Sequence, residues 1–257
     1  MGWFDRFRKH NQATPPNEPA RSGQPADDVT HQRLDAYWAS VGTPERDVLA
    51  NLISPQLTGG VAWPTLRQAY RVVRRDHAIV LATDGMSDPF ESLQPPLNGF
   101  GMELFLETSD IDPAFAGRRG DVSRLKDSWA FQLLHHVGEL VAGAGGIVDR
   151  LETYGVLSME LPGVSQAPDI AVQVPGHFIS EDDCLGILLG GPRPDFPDVI
   201  QDMPLSPVRM VPIVLITAKE LAYVREGGAK ARLQLADTLE VMPSRHRCDF
   251  QRRDATP

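Results

Sequence analysis

Cysteine is scarce in this sequence. Its 257 residues include two cysteines, Cys184 and Cys248, too few for a disulfide scaffold or for a zinc site built from cysteines alone. Long apolar runs are missing as well, because the longest, residues 78–82 and 211–216, are far shorter than the ~20 residues of a membrane helix. These absences predict a cytoplasmic protein of a reducing compartment, without stable insertion into a membrane.

An excess of basic residues is also missing. The chain has 25 Lys and Arg against 34 Asp and Glu, for a net charge of −9, and proteins that bind nucleic acid need cations to neutralise phosphates. The acidic excess lies in residues 27–242; residues 77–117 contain no Lys or Arg, and residues 151–208 contain one base, Arg193. Because opposite charge guides association, this pattern favours a basic protein partner and argues against nucleic acid. Solubility alone is the other explanation.

Composition also predicts the domain organisation. Residues 11–26 are rich in proline and small polar residues without periodicity, which is typical of a linker. We therefore expect residues 1–26 to be a disordered leader with a proline-rich linker, residues 27–242 to form one folded domain, and residues 243–257 to be a polar, disordered tail. The role of three aromatic residues in the leader stays open: Trp3, Phe4 and Phe7.

The spacing of apolar residues predicts both helices and strands. Helices are expected at residues 27–41, 44–52 and 123–142, and a last helix opens at the capping box 217–220. Strands are expected in a hairpin at 66–81 and at 99–107, 156–161, 170–174, 185–189 and 210–216. This order indicates an α+β fold, a mixed, largely antiparallel sheet with flanking helices. Glu103 and Glu107 alternate with apolar residues, so we expect them on a solvent-exposed face.

No enzyme motif is found. The glycines at 143–146 lack the Lys-Ser/Thr of a phosphate loop, and His135 with Glu139 lacks the HExxH order of a zinc protease, so a solvated helix face is favoured. Asp84 and Asp88 could bind a divalent cation or form an acid–base pair, although side chains that stabilise a turn explain them as well. We predict no catalytic residue, no metal site and no cofactor.

Two segments show a resemblance to a known family. Gly-Met-Ser-Asp-Pro-Phe at 85–90 is followed by Asn-Gly-Phe-Gly-Met-Glu-Leu at 98–104, and together they resemble the suppressor of fused family. Its bacterial members are also similar around residues 83–85 and 212–220. In these motifs Gly99 and Gly101 permit close backbone approach.

The resemblance implies a function in binding. Animal members bind a zinc-finger transcription factor of the Gli class and carry a further C-terminal domain, so they resemble this chain in its folded body only. Bacterial members include immunity proteins that neutralise polymorphic toxins, many of which are basic nucleases. The resemblance therefore implies a suppressor of fused-like domain, with a protein partner in place of a small-molecule substrate.

We therefore expect a non-enzymatic protein-binding module, in its finer form an immunity protein that neutralises a basic toxin through an acidic cleft. A metal-dependent hydrolase using Asp84 and Asp88, or a general regulatory scaffold, are the alternatives. The oligomeric state is not predicted. The expected partner-binding residues are Asp84, Ser87, Asp88, Phe90 and Glu103, and the glycines expected to shape the motif are Gly85, Gly99 and Gly101.

Overall fold

A computed structural model describes residues 25–50, 55–90 and 96–256. The described residues form six helices: α1 (Ala26–Val41), α2 (Pro113–Ala116), α3 (Trp129–Gly143), α4 (Val148–Tyr154), α5 (Pro168–Ala171) and α6 (Ala218–Glu240). They also form eleven strands: β1 (Thr43–Pro44), β2 (Leu49–Ala50), β3 (Ala69–Arg74), β4 (Ile79–Asp84), β5 (Pro89–Phe90), β6 (Leu97–Asn98), β7 (Met102–Thr108), β8 (Leu157–Pro162), β9 (Cys184–Leu189), β10 (Val199–Ile200) and β11 (Val208–Ile216).

Nine strands form one sheet in the order β1-β3-β4-β7-β11-β9-β8, with β2 beside β3 and β10 beside β11. All pairs are antiparallel except β7 with β11, which run parallel from Arg209 opposite Met102 to Pro212 opposite Phe105. Strands β5 and β6 form a separate two-stranded hairpin. The predicted α+β fold with a mixed, largely antiparallel sheet is confirmed.

Helices cover both faces of the sheet because strand side chains point alternately to opposite sides. Leu104 of β7 belongs to the core beneath α3, which includes Trp129. The next residue, Phe105, belongs to a second core with Trp38 of α1. Further along this second face, residues of β9 and β11 such as Val214 form a third core with α6. The sheet is therefore an inner layer.

This layering corrects the expectation of a solvated strand. Every residue of β7 is buried, and the exposed fractions of Glu103 and Glu107 are 0% and 2%. The alternation of polar and apolar residues was read as one wet face, but the second face of the sheet is covered by α1 and by the segment around His246. The two carboxylates are therefore internal and must be balanced by internal donors.

Three local predictions were wrong. Residues 44–52 were predicted as a helix, yet Thr43–Pro44 and Leu49–Ala50 pair with β3. Residues 170–174 were predicted as a strand, yet the chain forms the short helix α5 after Pro168. Both segments are short and lack sustained periodicity, so tertiary contacts decide their conformation.

The third wrong prediction is the disordered C-terminal tail. Arg252 is buried in this segment, and its guanidinium contacts both carboxylate oxygens of Glu220 at 2.5 Å. Glu220 also completes the predicted capping box of α6 with Thr217. His246 and Arg252 are polar residues of this segment that are buried and paired with carboxylates inside the fold, so the composition of a solvated tail was misleading.

No helix of the described residues is long and apolar enough to cross a membrane.

Candidate functional site

The motif residues Gly85 and Gly99 lie in two turns that pack against each other. Gly85 has a φ of 142°, and a Cβ atom there would lie 2.5 Å from the carbonyl oxygen of Arg67. Gly99 has a φ of 50°, and its Cβ would lie 2.2 Å from the carbonyl oxygen of Met86. Both turns therefore need glycine, which lacks a Cβ and tolerates positive φ. Gly101 also has a positive φ, 66°, but its Cβ would meet no atom closer than 3.8 Å.

Glu103 is the acceptor at the centre of these turns. Its Oε1 accepts hydrogen bonds from the backbone N–H of Gly85 at 3.1 Å, from the backbone N–H of Ser87 at 2.9 Å and from the Ser87 hydroxyl at 2.6 Å. Its Oε2 accepts from the hydroxyl of Thr83 at 2.5 Å. Burial raises the pKa of this carboxyl, and the four hydrogen bonds oppose that shift only in part.

The two aspartates of the motif are paired with arginines. Arg67 Nη2 lies 2.6 Å from Asp84, and its Nη1 lies 2.9 Å from Asp88. Arg71 Nε lies 2.8 Å from the second oxygen of Asp84, and Thr65 donates its hydroxyl to Asp88 at 2.8 Å. The carboxylates are therefore neutralised inside the fold, where an unpaired charge would be costly.

His31 links the first helix to this network. Its Nε2 lies 3.8 Å from Asp88, and the nearby carboxylate raises the pKa of the imidazole. The side chain of His31 is 37% exposed, whereas that of Asp88 is 5% exposed. The surface above the motif thus presents a histidine and an arginine, and its carboxylates lie beneath them.

Asn98 connects three parts of the chain at the same place. Its Nδ2 donates to Thr30 of α1 at 2.9 Å and to the carbonyl oxygen of Ser87 at 3.2 Å. Its Oδ1 accepts from the backbone N–H groups of Leu205 and Ser206. The side chain is fully buried, so this amide fixes the β5–β6 hairpin against α1 and the loop before β11.

Four of the five residues expected to contact a partner are internal. Asp84, Ser87, Asp88 and Glu103 have exposed fractions of 3% or less, whereas Phe90 is 37% exposed. The structure places them in and beside the two turns, and it corrects the expected acidic cleft: the acidic groups point at arginines and at backbone N–H groups. They support the turns, and of the five only Phe90 is accessible.

The same geometry bears on the hydrolase alternative. A metal ion at Asp84 and Asp88 would have to replace Arg67, which already contacts both carboxylates. An arginine and a cation compete for the same oxygens, so the pair is built for a guanidinium.

The similarity of this chain to a known family extends well beyond the motif. A comparison with protein families matches residues 68–245 to the family described as suppressor of fused protein, which is more than half of the chain. This chain belongs to the suppressor of fused family. Members of the family are regulatory and protein-binding domains without catalytic activity. A search of curated proteins finds no match to the chain.

The sequence analysis of this suppressor of fused domain did not identify the basic residues of the site, Arg67 and Arg71. Arg67 precedes β3 and Arg71 lies within it, four residues later. Both side chains contact Asp84. Their even spacing was a usable signal, because residues an even number of positions apart in an extended segment lie on the same face. For Asn98 the signal was weaker, because its partners at residues 30 and 205–206 are far away in sequence.

A second cluster lies at the other end of β7, with two buried members, Glu107 and His246, and one exposed member, Asp195. Glu107, Asp195 and His246 bring their ligand atoms within 4.8 Å of one another. However, Arg75 Nη1 lies 2.9 Å from both Glu107 and Asp195, and His246 Nε2 lies 2.8 Å from Glu107. The positive charge at this position is therefore supplied by Arg75, and the cluster attaches the C-terminal segment to the sheet.

Exposed carboxylates gather instead at the β8 end of the sheet. Among the described residues no further strand pairs with β8, so this strand is an edge of the sheet. Arg225 of α6 bridges Glu160 and Asp182 at 2.6 and 2.9 Å, and pairing with Arg225 lowers the pKa of Asp182. We call β8, with the exposed acidic residues on it and on the segments next to it, the acidic edge; these segments are α4, α5 and the turn before β9, and the residues are Glu152, Glu160, Asp169, Glu181 and Asp182.

Proposed function

We propose that this suppressor of fused domain is a non-enzymatic, cytoplasmic protein-binding module whose partner is a basic protein. In its finer form the proposal is a bacterial immunity protein, which binds a basic toxin and blocks it. Membership of a family of binding domains supports the first statement. The second is supported by the charge distribution of the chain.

The observation that carries the proposal is the acidic edge. An edge strand offers unpaired backbone N–H and C=O groups to an incoming extended segment. Here the strand is flanked by exposed carboxylates, and Arg225 is the one base that pairs with Glu160 and Asp182 in the described residues. A segment rich in Lys and Arg could pair with the backbone of β8 and with these carboxylates together.

The turn site has a supporting role in this proposal. Its aspartates are occupied by Arg67 and Arg71, so basic-to-acidic pairing with a partner is better placed at the acidic edge. Phe90 and Leu97, each 37% exposed, face each other across the β5–β6 hairpin. Contact of a partner with Phe90 stays a prediction.

The gene neighbourhood is examined first; where a toxin gene lies beside the gene of this chain, the test is calorimetric titration with its toxin domain, at low and physiological salt. Reversal of two charges in the variant Asp169→Lys/Glu181→Lys is expected to weaken binding about 10-fold or more at low salt, and less at high salt, because exposed charges are screened.

The matched control carries the same change in charge elsewhere. Asp47→Lys/Asp76→Lys alters two exposed carboxylates beside β2 and in the β3–β4 turn, at the opposite end of the sheet. Equal weakening by both variants would show that net charge alone matters, and would contradict a defined acidic edge. A gene neighbourhood without a toxin would contradict the immunity role and leave the role of a regulatory scaffold.

A further inference from the structure

A cavity of about 360 Å³ opens beside the acidic edge. One wall is the face of α3 that carries Gln132, His135 and His136. The other wall is the segment that follows β8, and Leu185 of β9 contributes to the floor. Its apolar residues are Leu161, Pro162, Val164, Ala167, Pro168, Ile170 and Leu185. Ligand cavities in proteins have this size and this mostly apolar lining, with a few polar groups that fix orientation.

The polar group of this cavity is a histidine with a defined tautomer. Tyr70 is 1% exposed, and its hydroxyl lies 2.7 Å from Nδ1 of His135. If Nδ1 carried the proton, the buried Tyr70 hydroxyl would accept that bond and its own hydrogen would have no acceptor in the described structure. The arrangement in which Tyr70 donates satisfies both groups, so Nε2 of His135 carries the hydrogen.

His135 is therefore a neutral donor at the cavity. Burial lowers the pKa of its imidazole, and the ring stacks on Phe131 with an interplanar angle of 4°, which fixes its orientation. The Nδ1 side is taken by Tyr70, which leaves the Nε2–H for the cavity. Asp169 lies on the rim and is exposed. The site thus suits a neutral acceptor, such as a main-chain carbonyl, with positive charge close by.

We propose that this cavity is the anchor pocket of the acidic edge: it takes an apolar side chain of the partner, whose main-chain carbonyl accepts a hydrogen bond from Nε2 of His135 while a flanking Lys or Arg pairs with Asp169. The inference rests on the proposed function, because β8 ends at Pro162, one of the cavity residues. A segment added along β8 therefore reaches the cavity. Interfaces commonly depend on one apolar side chain in such a pocket.

The test uses a defined tripeptide, acetyl-Lys-Phe-Lys-amide, titrated into the full chain while the NMR signals of the His135 imidazole are followed. A saturable shift of these signals is expected. Acetyl-Glu-Phe-Glu-amide, of the same length and anchor, is expected to bind at least 10-fold more weakly, because its carboxylates face Asp169. Absence of a shift, or equal affinity for the two peptides, would overturn the inference.

Three variants locate the binding. Ala167→Phe fills the cavity and is expected to abolish the shift, whereas Ala222→Phe, at an exposed position of α6, is expected to leave it unchanged. Asp169→Lys leaves the cavity open and is expected to remove the preference for Lys, which keeps the test decisive if Ala167→Phe does not fold. If N-acetyl-phenylalanine amide binds as tightly as the Lys peptide, the cavity is a small-molecule site and the anchor is wrong.

The outcome for the pocket is separable from that for the proposed function. Undiminished, salt-dependent binding of the toxin domain by Ala167→Phe would overturn the pocket and leave the function. Binding of the Lys peptide at His135, together with no binding of any basic protein, would overturn the proposed function and leave the pocket.

Discussion

At the scale of single residues, the unusual feature is a fully buried carboxyl that serves as an acceptor for the motif turns. Glu103 accepts four hydrogen bonds, three of them on one oxygen. Removal of the carboxyl in Glu103→Ala leaves three buried donors of Gly85 and Ser87 without an acceptor, so we expect a loss of about 3 kcal/mol or more in the free energy of unfolding. Urea denaturation measures it, and a loss below about 1 kcal/mol would contradict the central role of Glu103.

The pH dependence of stability gives a second prediction for Glu103. Its pKa is raised on folding, so its favourable contribution is complete below the unfolded pKa of about 4.3 and is lost as the pH rises through the folded pKa. Glu103→Gln stays neutral and keeps an acceptor for Gly85 and Ser87. We expect this variant to gain stability relative to the wild type as the pH rises above about 4.5, in urea titrations at several pH values. A constant difference would contradict the raised pKa.

Arg67 permits a comparison of buried and exposed ion pairs. It contacts Asp84 and Asp88, whose side chains are 1% and 5% exposed, and Arg67→Gln leaves both with fewer partners. We expect a loss of about 3 kcal/mol. The control is Arg33→Gln, because Arg33 and Asp202 are 49% and 62% exposed and such pairs contribute less than about 1 kcal/mol. Similar losses in urea denaturation would refute the buried role of Arg67.

At the scale of elements, the β5–β6 hairpin depends on the close approach of Gly99 to Met86. In Gly99→Ala the new Cβ would lie 2.2 Å from a carbonyl oxygen, so the backbone must move. Gly145→Ala is the control, because Gly145 also has a positive φ, 73°, but no atom lies within 4 Å of the added Cβ. We expect the control to lose about 1 kcal/mol in the free energy of unfolding, from backbone strain alone. The loss for Gly99→Ala is expected to be at least twice as large, and the change in the unfolding midpoint measures both. Equal losses would mean that strain decides both.

The start of α6 and the C-terminal segment form one unit. Arg252 contacts Glu220, the N3 residue of the capping box, and the carbonyl oxygen of Leu215. In Arg252→Met the buried Glu220 loses its counter-ion, which costs about 3 kcal/mol. Arg253→Met, at an exposed position, is the matched control and is expected to be neutral. A neutral Arg252→Met in thermal denaturation would show that the segment is dispensable.

Elements with strong local signals were predictable. The apolar stripe of α3, the Thr217 capping box and the hairpin of β3 and β4 are determined by nearby residues, and the structure confirms them. The helix predicted over residues 44–52 was wrong because β1 and β2 are short and form only by pairing with β3. Propensity is a weak guide where pairing across the sheet decides.

The candidate site was predictable in composition and only partly in geometry. Glycines and acidic residues in the motif indicated a turn with accessible carboxylates, and of the two glycines expected to permit close backbone approach, Gly99 does so and Gly101 does not. Burial of Glu103 depended on the cover that α1 gives to the second face of the sheet, which no local pattern shows. The cavity at His135 likewise requires β8 and α3 to meet.

At the scale of the whole molecule, the cores share their strands. Leu104 and Phe105 are adjacent in β7 but belong to cores on opposite faces, so loss of this strand removes both. We therefore expect one cooperative unfolding transition. Incorporation of 5-fluorotryptophan would place reporters at Trp38 and Trp129, one in each of the two cores that share β7, and their ¹⁹F signals should change at the same urea concentration. Separate midpoints would show two independent folding units.

The parallel pairing of β7 with β11 has a consequence for synthesis of the chain. Arg209 pairs with Met102, so the strand that completes the middle of the sheet leaves the ribosome only after residues 109–207 have been made. At roughly 5–20 residues per second this interval lasts about 5–20 s. Throughout it, the nascent chain carries β7 with one unpaired edge, the kind of surface that molecular chaperones cover and that seeds aggregation when they do not.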